Sequence, residues 1–148
     1  MYSPKTLLLA FAGLTTTATV LAEEVQSSAA YDHVYDIPEL STLDLACSNG
    51  AAGLSSTFGF DRISDLPGYP LVGAIEKVEG WGSLSCSRCY RVTNKQGGQT
   101  INIIAVDHAD TGLVLSLSAL DQLTGGQGKL LGRVDVKYEE VGGSECGL

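Results

Sequence analysis

Residues 80–93 read GWGSLSCSRCYRVT and hold the single tryptophan, Trp81, and two of the four cysteines, Cys86 and Cys89. The Cys-x-x-Cys spacing is typical of a redox dithiol, of half a zinc site, or of two cysteines that belong to structural disulfides. The run that begins at Tyr90 has the composition of a strand. The stretch therefore joins a possible cross-link to the start of a sheet, and the compartment of the protein decides between the three interpretations.

The other possible zinc ligands are scattered along the chain. A zinc site would need two more thiolate or imidazole ligands at suitable spacing, and the candidates are Cys47, Cys146, His33 and His108. A thioredoxin-like site would need a β-α-β context, whereas the residues after Cys89 indicate strand, turn and strand. The sequence favours structural disulfides and predicts no metal and no cofactor.

The N-terminus predicts an exported protein. Lys5 precedes a short apolar run over residues 6–14, and residues 20–22 read VLA and end in the small residue that a signal peptidase requires. We predict a signal peptide over residues 1–22, with cleavage after Ala22. No later segment approaches the ~20 apolar residues of a membrane span. The processed chain is therefore expected to be secreted.

Cleavage would leave residues 23–148, a length that suits one domain. Residues 23–30 are small and polar, and we interpret them as a flexible tail that precedes a domain over residues 31–148. All four cysteines remain, and an even number in an exported chain predicts two disulfides with three possible pairings. Joining Cys86 to Cys89 would close almost no loop. Pairing each with Cys47 or Cys146 would constrain the unfolded chain far more, so long-range pairings are favoured.

The net charge of the chain excludes two classes of binding partner. The chain has 17 acidic and nine basic residues, for a net charge of −8. Loss of Lys5 with the signal peptide makes the chain more acidic still. Nucleic acids and anionic membranes bind positive surfaces, so both are excluded as expected partners. A neutral ligand such as a polysaccharide fits this composition.

The pattern of apolar residues predicts a mainly β fold. The clearest unit is a β-hairpin of residues 89–93 and 100–107 around a glycine-containing loop, and its second arm is apolar on both faces from Ile103 to Val106. A helix over residues 117–123 would be capped by Ser116 or Ser118 and stopped by Gly125. One or two helical turns are expected within residues 51–65. Further strands are predicted over residues 31–35, 43–47, 72–75, 113–115 and 133–139. Five to seven strands with few helices indicate a small closed or nearly closed barrel.

Several stretches together resemble the cerato-platanin family of small secreted fungal proteins. They include all four cysteines, occur in the family's order and span nearly the whole processed chain. The matching segments are Tyr31-Asp32, residues 46–50 (ACSNG), 67–70 (PGYP) with Val72-Gly73, 80–89, 105–108 (AVDH), 123–126 (LTGG), 132–135 (GRVD) and Cys146.

The resemblance implies a six-stranded double-psi β-barrel related to the first domain of expansins. It implies disulfides Cys47–Cys86 and Cys89–Cys146 and a monomeric protein of the extracellular space or fungal cell wall. It also implies binding of chitin (N-acetylglucosamine) oligomers or another wall polysaccharide in a shallow groove, and elicitation of defence through a host-plant receptor. Members generally lack demonstrated glycosidase activity, so a non-enzyme is expected.

The chain departs from the family pattern at some positions. The family usually has Phe-Asn after the glycine that matches Gly112, and here the residues are Leu113-Val114. Loss of that asparagine removes a hydrogen-bonding group from the groove. An altered affinity for chitin is therefore expected.

Asp107 is the most informative acidic residue because it ends a buried strand. A charge there must be hydrogen-bonded or face a wet groove, so Asp107 either caps the following turn or contacts ligand. Hydrolysis would also require a second carboxylate across the scissile bond, about 5–9.5 Å away. The candidates for that second group are Asp32, Asp110 and Asp135.

Trp81 could stack on a sugar ring, although core packing over the Cys86 disulfide is the favoured interpretation. Each of the remaining groove candidates could instead have a purely structural role in a turn, at a strand edge or on the surface. The full set of groove candidates is Asp107, Tyr31, Asp32, Asn49, Gly50, Trp81 and His108.

Three functional hypotheses follow. The first is a non-catalytic binder of N-acetylglucosamine oligomers. The second is a weak expansin-like wall-loosening protein or glycan hydrolase that uses Asp107. The third, oxidoreductase chemistry at Cys86 and Cys89, would be excluded by long-range disulfides at both residues.

Overall fold

The computed structural model describes residues 12–14, 18 and 21–148. Most of the signal peptide predicted over residues 1–22 lies outside these residues. Six strands form the frame of the structure: β1 (Val25–Tyr31), β2 (Val72–Ile75), β3 (Cys89–Asn94), β4 (Thr100–His108), β5 (Leu113–Leu115) and β6 (Arg133–Val141).

The six strands close into a barrel in the order β1-β5-β2-β4-β3-β6. The pairs β1/β5 and β2/β4 are parallel, and the other four pairs are antiparallel. Three short α-helices lie between the strands: α1 (Leu54–Phe58), α2 (Leu117–Thr124) and α3 (Gly128–Leu131). The prediction of a small closed barrel with few short helices is confirmed.

The strongest sequence signals formed as predicted. Strands β3 and β4 are the arms of the antiparallel hairpin, and Val72–Ile75 is a fully buried strand. Helix α2 begins after Ser116, whose hydroxyl accepts the N–H of Ala119 at 3.0 Å. It ends at Gly125, which has a left-handed φ of 65° that favours glycine.

Residues 23–30 are not a flexible tail, and the domain does not begin at residue 31. Strand β1 starts at Val25 and pairs with β6 and β5, so it closes the barrel. Ala29 is completely buried. The small residues that resemble a linker are the ones that fit against the barrel interior, where tertiary pairing decides strand formation more than intrinsic propensity does.

The strands predicted over residues 31–35 and 43–47 are also wrong for most of their length. Both regions contain 3-10 turns, His33–Asp36 and Thr42–Asp44. The Asp32 carboxylate accepts the N–H of Val34 at 2.9 Å, and the Ser41 hydroxyl accepts the N–H of Leu43 at 3.2 Å. Such local side-chain bonds satisfy backbone donors that a strand would offer to a neighbour.

Two disulfides cross-link the barrel to its loops. Cys47 is joined to Cys86, and Cys89 to Cys146, with Cα–Cα distances of 5.3 and 5.8 Å. The two cysteines of the Cys-x-x-Cys pair are therefore bonded to partners that lie 39 and 57 residues away in the sequence. This pairing confirms the expectation from the resemblance. It also excludes the redox dithiol, because neither thiol of the pair is free.

Candidate functional site

Asp107 lies near the end of β4, beside Ala74 of β2, and is half-buried. One carboxylate oxygen accepts the N–H of Ala46 at 2.8 Å and the N–H of His108 at 2.9 Å. The other oxygen accepts the Tyr35 hydroxyl at 3.0 Å. Burial and the neighbouring Asp107 carboxylate raise the pKa of the Tyr35 phenol above its ordinary value.

These contacts give Asp107 a bracing role. Its oxygens hold the 3-10 turn with Tyr35 and the segment that leads to Cys47 against the end of β4. None of its hydrogen-bond partners in the described residues is a carboxylate. The carboxylate accepts the N–H of the next residue, His108, and it also bonds to Ala46 and Tyr35, which lie 61 and 72 residues away.

The three possible partner carboxylates have other contacts. Asp32 caps the 3-10 turn, and the fully exposed Asp110 side chain contacts the His108 ring. Asp135 lies on β6 opposite Ser28 of β1. None of these three contacts involves Asp107 itself.

His108 follows Asp107 and links it to the loop that carries Trp81. Its Nδ1 contacts the carbonyl oxygen of Val78, and its Nε2 lies 3.0 Å from an Asp110 oxygen. The Val78 carbonyl and Asp110 both favour the protonated ring, so they raise the pKa of His108 above its ordinary value of 6.5.

Tyr31 and Asp32 lie at the same end of the barrel. Tyr31 is the last residue of β1 and pairs with Leu115 of β5. Its half-buried ring packs edge-on against His33, with 5.3 Å between ring centroids. Asp32 is exposed, and its charge also acts on the Tyr35 phenol that binds Asp107. The structure therefore brings Tyr31, Asp32, Asp107 and His108 together.

Trp81 is exposed over 70% of its surface, so the predicted core packing over Cys86 is wrong. Tight turns shape its loop: Gly80 accepts the N–H of Ser83, and Ser83 accepts the N–H of Cys86. Gly82 has a φ of 80°. The turns point the indole outward, while the Cys47–Cys86 bond anchors the end of the loop.

Asn49 and Gly50 belong with Trp81. Asn49 is exposed, and Gly50 has a φ of 92° as turn chemistry predicts. A Cβ on Gly50 would lie 3.4 Å from the Cα of Gly82, so the two turns touch. The seven sequence-predicted residues thus form two groups. The first group is Tyr31, Asp32, Asp107 and His108, and the second is Asn49, Gly50 and Trp81. The Cys47–Cys86 bond and the His108–Val78 contact join the two groups.

The altered position Val114 lies close to the first group. In the sheet, Ala74 pairs with Val114 on one side and with Asp107 on the other. Residues directly opposite each other share a face of a sheet. Val114 therefore lies two strands away from Asp107 on the same face of the sheet. It makes this row of side chains more apolar than an asparagine would.

Glu76 was missed by the sequence reasoning. It follows β2 and accepts the hydroxyls of Ser27 and Tyr138 at 2.9 and 3.0 Å and the N–H of Gly112 at 2.7 Å. Burial alone would raise the pKa of Glu76, but these hydrogen bonds and Lys77 hold it below its ordinary value. The one local signal was a carboxylate placed directly after four buried residues.

The residues that the structure describes were compared with the requirements of a metal site and of a membrane-spanning helix. Within the described ranges, no group of three or more His, Cys, Asp or Glu side chains is placed to hold a metal ion. No helix in residues 12–14, 18 and 21–148 is long and apolar enough to cross a membrane.

An expansin from Clavibacter michiganensis supports the barrel type. Its structure in complex with cellohexaose has a TM-score of 0.53 and 18% identity, over 81% of this chain and 51% of that one. At this identity the likeness concerns the fold alone. It supports the double-psi arrangement of the six strands.

Closer similarities are found among fungal proteins. A heat-stable 19 kDa antigen of Coccidioides immitis is 41% identical over 90% of this chain and 88% of its own. The crystal structure of cerato-platanin 3 from M. perniciosa has a TM-score of 0.79 and 39% identity, covering 84% of this chain and all of that one. The solution structure of the fungal elicitor cerato-platanin has a TM-score of 0.72 and 38% identity, covering 80% and 95%. The cerato-platanin family model matches residues 27–148. The chain belongs to the cerato-platanin family.

Proposed function

We propose that this protein is a secreted, non-catalytic binder of fungal wall polysaccharide that takes up N-acetylglucosamine oligomers. The observation that carries the proposal is Trp81, an indole 70% exposed on a loop anchored by a disulfide. An aromatic face held rigidly in solvent suits stacking on a sugar ring and loses little conformational entropy on binding. The barrel fold is shared with an expansin whose structure was solved with cellohexaose.

The bonding of Asp107 supports a non-catalytic role. Both carboxylate oxygens are engaged by groups of the protein itself. A general acid must instead reach the leaving oxygen of a bound glycan. The alternative is expansin-like wall loosening or hydrolysis through Asp107. It would require these hydrogen bonds of Asp107 to break.

Calorimetric titration of the secreted protein with chitohexaose tests the proposal, with cellohexaose as the second ligand. Saturable binding of chitohexaose is expected. Trp81→Ala should weaken it by about tenfold through loss of ring stacking. Leu84→Ala is the matched control, because Leu84 is 69% exposed on the same loop and carries no aromatic ring. Wild-type protein that binds neither sugar would contradict the proposal.

Reducing-end assays on the same mixtures separate binding from hydrolysis. A constant concentration of reducing ends is expected for a binder. An increase with time that Asp107→Asn abolishes would move the hydrolase alternative to first place. Loosening of chitin or cellulose sheets without new reducing ends would instead indicate expansin-like action.

Export and elicitation complete the proposal. N-terminal sequencing of protein recovered from the culture medium should begin at Glu23. Leaves infiltrated with the protein should show a defence response through a host-plant receptor. This role is supported by the family member whose solved structure is described as a fungal elicitor. A chain retained inside the producing cells would contradict the secreted role.

A further inference from the structure

An open cleft of about 870 Å³ lies at the barrel end where β6 finishes and β3 begins. The side chains that define it are Phe58, Lys77, Arg88 and Glu140, with the backbone of residues 142–144 along one edge. None of the seven predicted groove residues lines it. Its volume is in the range of sites that enclose a small ligand or part of a polymer.

One wall is an aromatic ring in a fixed position. Phe58 ends α1 and is 41% exposed. Its ring is stacked on Phe60, with 5.6 Å between centroids and 4° between planes. Hydrogen bonds from Ser56 and Thr57 to the carbonyls of Gly50 and Ala51 hold the helix. A flat apolar face is thus available beside the cleft.

Four of the other side chains that line the cleft are charged, two of each sign. Arg88 donates from Nε to the Leu84 carbonyl at 3.2 Å and lies 3.8 Å from a Glu140 oxygen. Lys77 lies over the Tyr138 ring, with Nζ 5.8 Å from its centroid, and Glu23 is at the rim. Two cations therefore face two carboxylates in a chain whose net charge is −8.

We propose that this cleft is a second contact surface for the polysaccharide and takes a neutral stretch of N-acetylglucosamine oligomer. The inference rests on the proposed function and extends it to a site outside the Asp107 group. The Lys77 and Arg88 side chains donate to the acetamido and ring oxygens, and Glu140 accepts from sugar hydroxyls. Phe58 packs against the apolar face of a ring. An anionic ligand would meet Glu140 and Glu23, so a neutral one fits best.

The cleft is adjacent to the loop that carries Trp81. The Ser87 hydroxyl donates to the Ala52 carbonyl at 2.7 Å, while Ser56 and Thr57 bind Gly50 and Ala51 of the same short segment. Helix α1 and the Trp81 loop are therefore attached to one segment of chain. On this proposal, an oligomer that extends beyond the indole continues into the cleft.

Processing would leave the side chains of Phe58, Lys77, Arg88 and Glu140 in place. Leu21 and Ala22 also line the cleft, and cleavage after Ala22 would remove both. Leu21 is 86% exposed. Glu23 would become the first residue and remain at the rim.

Titration of chitohexaose into the Phe58→Ser/Arg88→Gln double variant of the secreted protein tests the cleft. We expect binding about tenfold weaker than in wild type, from loss of one aromatic contact and one charged donor. The matched control is Leu130→Ser/Lys95→Gln, which removes an exposed apolar residue and an exposed cation outside the cleft. It should bind as wild type does, and thermal unfolding should show that both variants are folded.

The outcomes separate this inference from the proposed function. Chitotriose, which is shorter, should lose less affinity than chitohexaose in the cleft variant, because it need not span both surfaces. A cleft variant that binds chitohexaose as wild type does, while Trp81→Ala binds weakly, would overturn the cleft and leave the proposed function standing. Wild-type protein without affinity for chitohexaose would overturn both.

Discussion

Asp107 shows how a single carboxylate can hold a fold together. It accepts two backbone N–H groups and one phenol from three places in the chain. Hydrogen bonds to a charged group are worth more than neutral ones, and removing the acceptor leaves buried donors unpaired. Its side chain therefore matters for stability before any role in ligand binding is considered.

Asp107→Ala should lower the free energy of unfolding by about 2–4 kcal/mol, because Tyr35 and the backbone of Ala46 lose their acceptor. Urea denaturation at pH 7 measures the change. Asp110→Ala is the control and should stay within about 0.5 kcal/mol, since that side chain is fully exposed. Equal denaturation midpoints for Asp107→Ala and wild type would refute the bracing role.

Among the strands, β1 is the one on which closure of the barrel depends. It pairs with β6 over six positions, from Val25 to Ala30, and with β5 over three. Without it, the facing edges of β5 and β6 would be unpaired in solvent. The barrel would become an open sheet with its interior exposed.

Deletion of residues 25–28 should abolish the cooperative fold, because β6 loses its partner over residues 135–138. Amide proton dispersion in an NMR spectrum and near-ultraviolet circular dichroism report the result. Deletion of residues 23–24 is the control and removes mainly a surface ion pair between Glu24 and Lys137, which is worth little. A well-dispersed spectrum from the longer deletion would mean that residues 25–28 are dispensable after all.

Glu76 connects β2 to two strands that are not its neighbours in the barrel, and also to the residue before β5. It links the end of β2 to Ser27 of β1, Tyr138 of β6 and Gly112 before β5. Because its folded-state pKa is lowered, its stabilising contribution is present above the ordinary value of 4.5. That contribution is lost as the pH falls through the folded-state pKa.

Glu76→Gln should reduce the free energy of unfolding at pH 7 by about 1–2 kcal/mol through weakened hydrogen bonds. The difference from wild type should shrink as the pH falls below 4.5. Thermal unfolding from pH 7 to pH 3 measures both effects, with the exposed Glu79→Gln as control. A difference that grows toward acid pH would contradict the assigned direction of the pKa shift.

The two disulfides cross-link two different regions of the protein. Cys47–Cys86 joins the segment braced by Asp107 to the Trp81 loop, and Cys89–Cys146 joins β3 to the 3-10 turn Gly143–Cys146. Loops of 39 and 57 residues each reduce the entropy of the unfolded chain. On the chain-entropy model each is worth about 4 kcal/mol.

Replacing Cys47 and Cys86 together by alanine should therefore lower the free energy of unfolding by about 3–4 kcal/mol. It should also weaken chitohexaose binding, because the Trp81 loop loses its anchor. The Cys89→Ala/Cys146→Ala variant is expected to lose similar stability with a smaller effect at Trp81. Guanidinium denaturation and calorimetry distinguish the two. Identical binding losses in both variants would contradict the anchoring role.

The sequence predicted what local patterns control. The hairpin of β3 and β4 has alternation and a glycine-containing loop within one continuous segment. Strand β1 escaped prediction because Ala29 and its neighbours carry no β-propensity, and their partners on β6 lie about a hundred residues away. The environment of Glu76 likewise depends on residues 36 to 62 positions distant. The exposure of Trp81 follows from turn geometry that composition does not report.

The pairing of β1 with β6 also sets the order of events during synthesis. About a hundred residues separate Tyr31 from Arg133, and ribosomes add roughly 5–20 residues per second. The first strand must therefore wait about 5–20 seconds for the partner that closes the barrel. Until β6 emerges, the backbone donors and acceptors on the β6-facing edge of β1 have no strand partner, so they depend on water or a chaperone.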